Sequence, residues 1–226
     1  MTTEQKNEPE SFLNRSLFHL SEEEMESRRL KADEEQRKEN ERKAQNNLST
    51  SGIPKRHLHS ITPSGEGWLK VETRLKARIG SGFIIALCGG RGTGKTQLAA
   101  SCAREVALLN KKAWYKTAMG FFLDIKESFD GKRSEKEVID RYCSPSFLIL
   151  DEMQERGETP WEDRLLTHMI DRRYGDEKDT LLISNQTQEA FLKSVGESIS
   201  SRISETGGVA LCNWPSYRTK QNATKA

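Results

Sequence analysis

The sequence lacks the features that mark membrane proteins, secreted proteins and disulfide-rich proteins. No apolar run approaches the length of a membrane-spanning helix, and the N-terminus has no apolar signal core. Only four cysteines occur, far apart and without C-x-x-C spacing: Cys88, Cys102, Cys143 and Cys212. This spacing argues against a zinc site or a disulfide framework. We therefore expect reduced, packed cysteines in a cytoplasmic protein that has no membrane partner.

The sequence also lacks an excess of charge of one sign. Its 36 basic residues nearly balance its 34 acidic residues, for a net charge of +2. No overall field demands a nucleic-acid partner, so any basic surface must be local. Charged residues make up 31% of the chain and hydrophobic residues 34%, and the first fifty residues account for much of this polarity. A chain of 226 residues is long enough for one α/β domain with an extension.

What the sequence does have is a phosphate-binding loop within "LCGGRGTGKTQLAA", residues 87–100. It fits the pattern G-x-x-x-x-G-K-[ST] without mismatch, after an apolar run and before a stretch of helical periodicity. Glycines let successive backbone N–H groups turn inward around a phosphate chain. Lys95 is expected to reach the β- and γ-phosphates of ATP, and the Thr96 hydroxyl to ligate Mg²⁺. The predicted nucleotide-binding residues of this loop are Gly89, Gly90, Arg91, Gly92, Thr93, Gly94, Lys95, Thr96 and Gln97.

Polar side chains follow two further apolar runs. In "FLILDE", Asp151 is expected to hold Mg²⁺ directly or through water, and Glu152 to orient and deprotonate a water molecule. In "LLISNQ", Asn185 is expected to hold that water or the γ-phosphate. Ligands of parallel α/β sheets bind beyond the carboxyl ends of the strands, where these residues should meet. A water-activating acid favours a hydrolase over a kinase.

Strands alternate with helices along the chain, which predicts a parallel sheet covered on both faces. Residues 68–220 form the predicted ATPase domain, residues 51–67 a linker and residues 221–226 a flexible tail. Residues 1–50 form a charged, partly helical arm, in which Leu13, Leu17 and Leu20 make a short apolar face that suits docking. Charge pairs four residues apart support a solvated helix over residues 21–46, although that segment could equally be a spacer that binds nothing.

The segments "GGRGTGKTQLA", "LILDEM", "LLISN", "SSRI" and "NWPSYR" together resemble the AAA+ ATPases of the DnaC family of replicative helicase loaders. The resemblance covers about residues 51–218 and implies the three-layer AAA+ fold. It implies that Arg202 is an arginine finger for the neighbouring subunit's nucleotide, and that Arg218 senses nucleotide state. Family members often carry a basic residue where this chain has Ser198. Arg172 and Arg173 are also candidates to face a neighbour, although an exposed helix face explains them equally well.

The resemblance further implies contact with single-stranded DNA through the helices that follow the second strand. Basic groups there can track phosphates, and exposed aromatic rings can stack on bases. Phe121 and its neighbour Phe122 could equally be core residues. The DNA-contact candidates are Lys116, Phe121, Lys126, Lys132 and Arg133.

We therefore expect an ATP-dependent loader that binds a hexameric DnaB-type helicase, self-associates head to tail and places the helicase on single-stranded DNA. A transposition helper ATPase of the IstB type shares the core motifs and remains an alternative. A small-molecule kinase with the same loop is a second alternative, but no arginine-rich lid or substrate acid is evident. A nucleotide-binding adaptor that does not hydrolyse is a third, against which Glu152 and Arg202 argue.

Overall fold

The computed structural model describes residues 21–58, 65–131 and 134–217. The expectations for Leu13, Leu17, Leu20, Lys132, Arg133, Arg218 and the tail 221–226 therefore lie outside the described residues. The chain divides into two compact units, Met1–Asn40 and Glu41–Ala226. The first of these units, where described, is part of one charged helix, and the second carries the sheet.

A single five-stranded parallel sheet organises the second unit. Its strands are β1 (Ile84–Cys88), β2 (Ala113–Thr117), β3 (Phe147–Asp151), β4 (Asp179–Ser184) and β5 (Gly208–Leu211). They lie in the order β2-β3-β4-β1-β5. The three central strands are buried along their whole length, as expected of a parallel sheet covered on both faces. The predicted α/β fold class is confirmed, and β1, β3 and β4 end beside one another.

The described helices are α1 (Glu22–Ser49), α2 (Lys55–Leu58), α3 (Glu66–Lys76), α4 (Lys95–Leu108), α5 (Ala118–Ser128), α6 (Glu135–Cys143), α7 (Pro160–Gly175) and α8 (Gln188–Thr206). Local sequence fixes several of their ends. Ser134 and Glu137 form a capping box at the start of α6. Thr159 caps α7 ahead of Pro160, whose fixed φ suits the first helical position.

Hydrophobic cores lie on both faces of the sheet. Successive residues of a strand point to opposite faces, so Ile84 and Ala86 face α5–α8, whereas Phe83, Ile85 and Leu87 face α3 and α4. All four cysteines are buried and free, which confirms that they are packing residues. Burial raises the pKa of the Cys88 thiol to about 11. None of the described helices is long and apolar enough to cross a membrane.

The last helix differs from the sequence-based expectation. In the sequence, "EAFLKSV" (residues 189–195) predicts a short helix that ends before Gly196, whereas α8 extends to Thr206. Gly196 has a non-helical backbone (φ 79°, ψ 168°) and kinks the helix in the middle. The positive φ suits a glycine, because a side chain there would be strained. Arg202 therefore lies in the second half of a kinked helix rather than after a short one.

Two buried side chains correct our site expectations. Phe121, expected to contact DNA, is fully buried beside Phe122 and Tyr142, with ring centroids 4.9 Å and 4.6 Å away. A ring enclosed in the core cannot stack on a base, so that expectation is wrong for Phe121. Arg173, a candidate to face a neighbouring subunit, is also fully buried. Its guanidinium bonds to the backbone carbonyls of Tyr142, Pro145 and Asp179 inside its own domain.

Residues 41–58 belong to the sheet-bearing unit. Ala44 of α1 is buried, and so are Ser51 and Ile53, which the sequence analysis assigned to the linker. The Tyr115 N–H of β2 donates to the Ser51 carbonyl (2.7 Å). The chain therefore packs along the edge strand before it reaches the predicted start of the domain. Within the first unit, Glu34 and Lys38 form one of the expected i, i+4 pairs (2.7 Å).

Candidate nucleotide-binding site

The P-loop connects β1 to α4, as the sequence predicted. Gly89, Gly92 and Gly94 all have positive φ, and Gly94 caps α4 in the left-handed region. At Gly89 a Cβ would collide with the Cys212 carbonyl, so only glycine fits there. The Lys95 ammonium donates to the carbonyls of Gly89 (2.7 Å) and Gly90 (2.8 Å). The cationic group expected to contact phosphate is thus enclosed by the loop itself.

Three donors from distant segments hold the outer face of this loop. The Trp214 indole N–H donates to the Thr93 carbonyl (2.7 Å), and the Tyr217 N–H donates to the Gly92 carbonyl (2.9 Å). The Trp68 indole N–H at the start of α3 donates to the Gly94 carbonyl (3.3 Å). In the sequence, the segment "NWPSYR" (residues 213–218) stands out only as a feature of the resemblance. Its contact with the loop has no local signal, because 121 residues separate Trp214 from Thr93.

The candidate magnesium ligands lie together at the ends of β1 and β3. The Thr96 hydroxyl donates to Asp151 Oδ2 (2.8 Å), and Asp151 is buried. A hydroxyl and a carboxylate are hard oxygen donors, and Mg²⁺ is commonly held by one or two carboxylates together with phosphate oxygens. The donor set therefore fits the ion. A residue not foreseen from the sequence, Tyr115, also donates to Asp151 Oδ2 (3.0 Å). Burial, then the charge of Asp151, raises the pKa of the Tyr115 phenol, which keeps it a donor.

Glu152 follows in a left-handed conformation (φ 55°, ψ 43°) and is exposed. Its N–H donates to Asp151 Oδ1 (2.7 Å). Although the residue is exposed, partial desolvation of its carboxyl, followed by the nearby charges of Asp151 and Glu155, raises the pKa of Glu152, and the charge of Arg91 opposes this. Arg91 Nη2 lies 3.7 Å from Glu155 Oε1, so a salt bridge joins the P-loop to the turn that carries Glu152. A carboxylate with a raised pKa is better suited to accept a proton.

A glutamine connects the ends of β3 and β4. Gln154 Oε1 accepts from the Asn185 N–H (3.0 Å) and from the Ser184 hydroxyl (3.3 Å). Asn185, which is half-buried, is thereby fixed relative to the turn that carries Glu152. Sequence reasoning placed both Glu152 and Asn185 at strand ends but missed Gln154, since a glutamine after an acidic pair carries no distinctive pattern.

Gln97, a predicted nucleotide-binding residue, bonds to the Nδ1 atom of His57 on α2 (2.9 Å). On the same face of α4, Arg104 donates to the carbonyls of His57 (2.8 Å) and Leu58 (2.6 Å). These contacts fix α2 against the helix that begins at the P-loop. The chain segment before the predicted domain is therefore part of the surroundings of the site.

Arg202 contacts its own helix and α7. Its guanidinium donates to the Ser198 carbonyl (2.8 Å) and hydroxyl (2.6 Å), and lies over the Tyr174 ring at 5.3 Å. Its Nη2 atom is 3.0 Å from Asp171 Oδ1, although that oxygen has no partner in hydrogen-bonding geometry. Ser198 thus holds the candidate finger. Within one subunit the structure does not bring Arg202 to the P-loop residues.

Two DNA-contact candidates, Lys116 and Lys126, lie within the described residues. Lys116 forms a salt bridge with Asp124 (2.9 Å). Lys126 lies over the half-buried Trp161 ring at 5.8 Å, and Phe129, beside the same ring, is 62% exposed. Any DNA contact by this face remains a prediction.

Comparison with known proteins places this geometry in a family context. The chain is 27% identical over 140 residues to the replicative helicase loader DnaC of Escherichia coli K12, covering 61% of this chain and 56% of the relative. It therefore spans about half the length of the curated relatives that it matches. The DnaC helicase loader crystal structure has a TM-score of 0.60 at 17% identity and covers 68% of this chain and 94% of its own.

A second solved structure shares the fold. It is the replication initiator DnaA bound to AMPPCP and single-stranded DNA, with a TM-score of 0.61 at 23% identity, covering 76% of this chain and 54% of the other. At these identities the two structures show the AAA+ fold, which agrees with the observed strand order. The model of the family described as IstB-like ATP binding protein matches residues 21–224, nearly the whole chain. The protein belongs to this family of ATP-binding proteins.

Proposed function

We propose that the protein is an ATP-dependent loader that places a hexameric replicative helicase of the DnaB type onto single-stranded DNA. The observation that carries the ATPase part is the hydrogen bond between Thr96 and Asp151, next to Lys95, which the P-loop encloses. The similarity to the loader DnaC supports the choice of partner. ATP binding favours assembly with helicase and DNA, and hydrolysis favours release.

Hydrolysis is divided among residues of the site. Lys95, freed from the loop carbonyls, binds the β- and γ-phosphates, and the P-loop N–H groups hold the phosphate chain. Glu152 accepts the proton of the attacking water, and Asn185 holds that water in line with the γ-phosphate. Thr96 and Asp151 would hold Mg²⁺, which would neutralise charge on the phosphates. We expect weak turnover in a lone subunit, because none of these residues stabilises the spreading negative charge of the transition state from the far side.

We propose that Arg202 of a neighbouring subunit supplies the positive charge that stabilises this transition state. A guanidinium in this role contributes about 10³–10⁵ in rate in related phosphoryl-transfer enzymes. Arg202 is held by Ser198 and lies beside Asp171, so it must exchange these partners when subunits pack head to tail. An interface of this kind is heterologous and builds a ring or spiral. Arg218 is proposed to report the nucleotide state.

A co-purification experiment tests the choice of partner. The structure separates Met1–Asn40 from the unit that carries the sheet, so a cut after residue 40 preserves the packed residues Ala44, Ser51 and Ile53. We expect the full chain to co-purify with the DnaB-type helicase of the same cell, and the truncated chain to bind ATP equally well but to lose the helicase. If the truncated chain retains the helicase, the docking site lies in the sheet-bearing unit. If the full chain does not bind the helicase, the proposed function is wrong.

A second candidate function is a transposition helper of the IstB type, which the family description favours. The same co-purification separates the two, since a helper should associate with a transposase and leave the helicase unbound. The small-molecule kinase considered from the sequence is set aside because the chain belongs to the IstB-like family and has Glu152 beside the candidate metal ligand.

A further inference from the structure

Tyr115 lies where the edge of the sheet meets the candidate magnesium site. It is on β2, the edge strand, which pairs with β3 so that Thr117 stands beside Asp151. The Tyr115 hydroxyl reaches along the strand to Asp151 Oδ2 (3.0 Å), the oxygen that also accepts from Thr96 (2.8 Å). Two other described groups donate to this carboxylate. They are the Thr96 hydroxyl, which follows the P-loop, and the N–H of Glu152, the next residue in the chain.

The three hydrogen bonds of Asp151 fix the direction of its carboxylate. Oδ1 is held by the Glu152 N–H (2.7 Å), and Oδ2 by the two hydroxyls. A Thr96 hydroxyl that ligated a metal ion through an oxygen lone pair would keep its O–H for Oδ2, and the Tyr115 hydroxyl would be the second side-chain donor that holds this oxygen. Partners of this kind, which hold a metal ligand in place, typically change metal affinity by about 10–100-fold when removed.

The backbone of the same residue holds the chain that enters the domain. The Tyr115 N–H donates to the Ser51 carbonyl (2.7 Å), and the Ser51 hydroxyl donates to the Leu48 carbonyl at the end of α1 (2.6 Å). Next to Ser51, Gly52 has φ +80°, and a Cβ there would stand 2.7 Å from the Tyr115 carbonyl oxygen. The turn after α1 therefore seats against the edge strand only because residue 52 is a glycine.

We propose that Tyr115 is a positioning residue of the magnesium site and ties that site to the turn that follows the N-terminal helix. The inference rests on the proposed ATPase function. The route runs from the last turn of α1 through Ser51 and Gly52 to the backbone of Tyr115. The Tyr115 side chain then leads to Asp151, the proposed metal ligand. A displacement of this turn by a partner bound to the arm would reach Asp151 through one residue.

Nucleotide affinity measured as a function of Mg²⁺ tests the side-chain step. Full-length protein is titrated with a fluorescent, non-hydrolysable ATP analogue, first in EDTA and then at increasing Mg²⁺. We expect Tyr115→Phe to match the wild type in EDTA and to need about tenfold more Mg²⁺ for half of the tightening. The matched control is Tyr142→Phe, which loses a hydroxyl bonded to the Asp124 carboxylate (2.7 Å) and should leave the Mg²⁺ requirement unchanged.

The outcomes separate this inference from the proposed function. A wild-type protein that binds the analogue equally with and without Mg²⁺ would overturn the magnesium site and everything built on it. A wild type that responds to Mg²⁺, together with a Tyr115→Phe variant that responds identically, would overturn the positioning role alone. An equal shift in Tyr142→Phe would also overturn it, since the effect would then be general loosening.

The backbone step is tested with Gly52→Ala and its control, Gly131→Ala. Both glycines have a similar positive φ (+80° and +83°), but a Cβ at Gly131 meets open space. We expect Gly52→Ala to raise the Mg²⁺ requirement in the same direction as Tyr115→Phe, and Gly131→Ala to leave it unchanged. If Gly52→Ala does not fold by circular dichroism, Ser51→Ala, which removes the hydroxyl bonded to the Leu48 carbonyl and the Ile53 N–H, takes its place. A wild-type Mg²⁺ requirement in the folded variant would contradict the link to the turn.

Discussion

At Glu152 the backbone itself directs the carboxylate. A non-glycine residue at φ 55° costs free energy, and such conformations persist where the surroundings enforce them. Here the Glu152 N–H is tied to Asp151, and Gln154 two residues later is tied to Asn185. The turn thus ties the proposed base to Asp151, the proposed metal ligand, and through Gln154 to Asn185, the residue proposed to hold the water. The strain is consistent with a site whose geometry serves chemistry.

Arg173 shows the opposite situation, a charged side chain that serves the fold. It is fully buried, and burial lowers the pKa of its guanidinium to about 10. Its Nε donates to the Thr180 hydroxyl (2.8 Å), and its other nitrogens satisfy carbonyls that follow α6 and that begin β4. It therefore joins α7 to the segment that precedes β3 and to the start of β4.

We predict that Arg173→Met lowers the free energy of unfolding by about 3 kcal/mol, because it leaves several buried carbonyls without donors at about 1–3 kcal/mol each. Its neighbour provides the control. Arg172 forms a partly exposed salt bridge with Asp140 (2.6 Å), so Arg172→Met should cost less than about 1 kcal/mol. Urea denaturation followed by circular dichroism measures both. Equal losses in the two variants would show that the buried network contributes little.

Residue roles could be predicted only in part from the sequence. The contact of Thr96 with Asp151 could be foreseen because the P-loop pattern and the acidic pair at a strand end are local. The positions of Phe121 and Arg173 could not, because an aromatic or basic residue on a helix has the same pattern whether it faces the core or solvent. Tyr115 and Gln154 were missed because their partners are set by strand register.

At the scale of elements, the strands were the most predictable feature. Buried parallel strands are continuous apolar runs, so β1, β3 and β4 stand out in a polar sequence. The second half of α8 was missed because Gly196 interrupts the helical pattern, although the helix resumes beyond it. The turn at residues 51–53 was assigned to a linker because Gly, Ser and Pro mark both linkers and tightly packed turns.

The segment of residues 213–217 contacts the P-loop in a way that only the structure reveals. Trp214 and Tyr217 together hold two successive groups of the P-loop, the carbonyls of Thr93 and Gly92. A loop whose carbonyls are fixed outward keeps its N–H groups directed inward, which prepares it for phosphate. Arg218, the proposed sensor, follows directly after Tyr217 in the sequence. We propose that Tyr217, its neighbour in the sequence, links this sensor to the P-loop.

We predict that Trp214→Phe weakens ATP binding about fivefold. The phenyl ring preserves most of the packing, but the hydrogen bond to the Thr93 carbonyl is lost, which costs about 1 kcal/mol. Trp161→Phe is the control, because Trp161 packs beside Phe122 and Phe129 and not on the P-loop. Calorimetric titration with ATP compares the two variants. Wild-type affinity in Trp214→Phe would show that the hydrogen bond from Trp214 does not prepare the P-loop to bind phosphate.

At the scale of the whole molecule, we propose that one subunit alone does not complete the site. Lys95, Thr96, Asp151, Glu152 and Asn185 all come from the carboxyl edge of one sheet, whereas Arg202 is engaged with Ser198 on the same helix and lies beside α7. This arrangement is expected of a subunit-bridging switch, in which ATP is bound by one protomer and its hydrolysis is completed by the next. The account depends on this division more than on any single residue.

The most direct test mixes two inactive variants. Arg202→Ala and Glu152→Gln should each bind ATP and each lose turnover alone. The first lacks the proposed arginine finger, and the second lacks the proposed general base. In a mixed assembly, the intact Arg202 of a Glu152→Gln subunit meets the intact Glu152 of an Arg202→Ala subunit and completes one site. With helicase and single-stranded DNA present, we predict that the mixture regains part of the wild-type ATPase rate. A mixture that demonstrably co-assembles yet stays as inactive as its components would contradict the account.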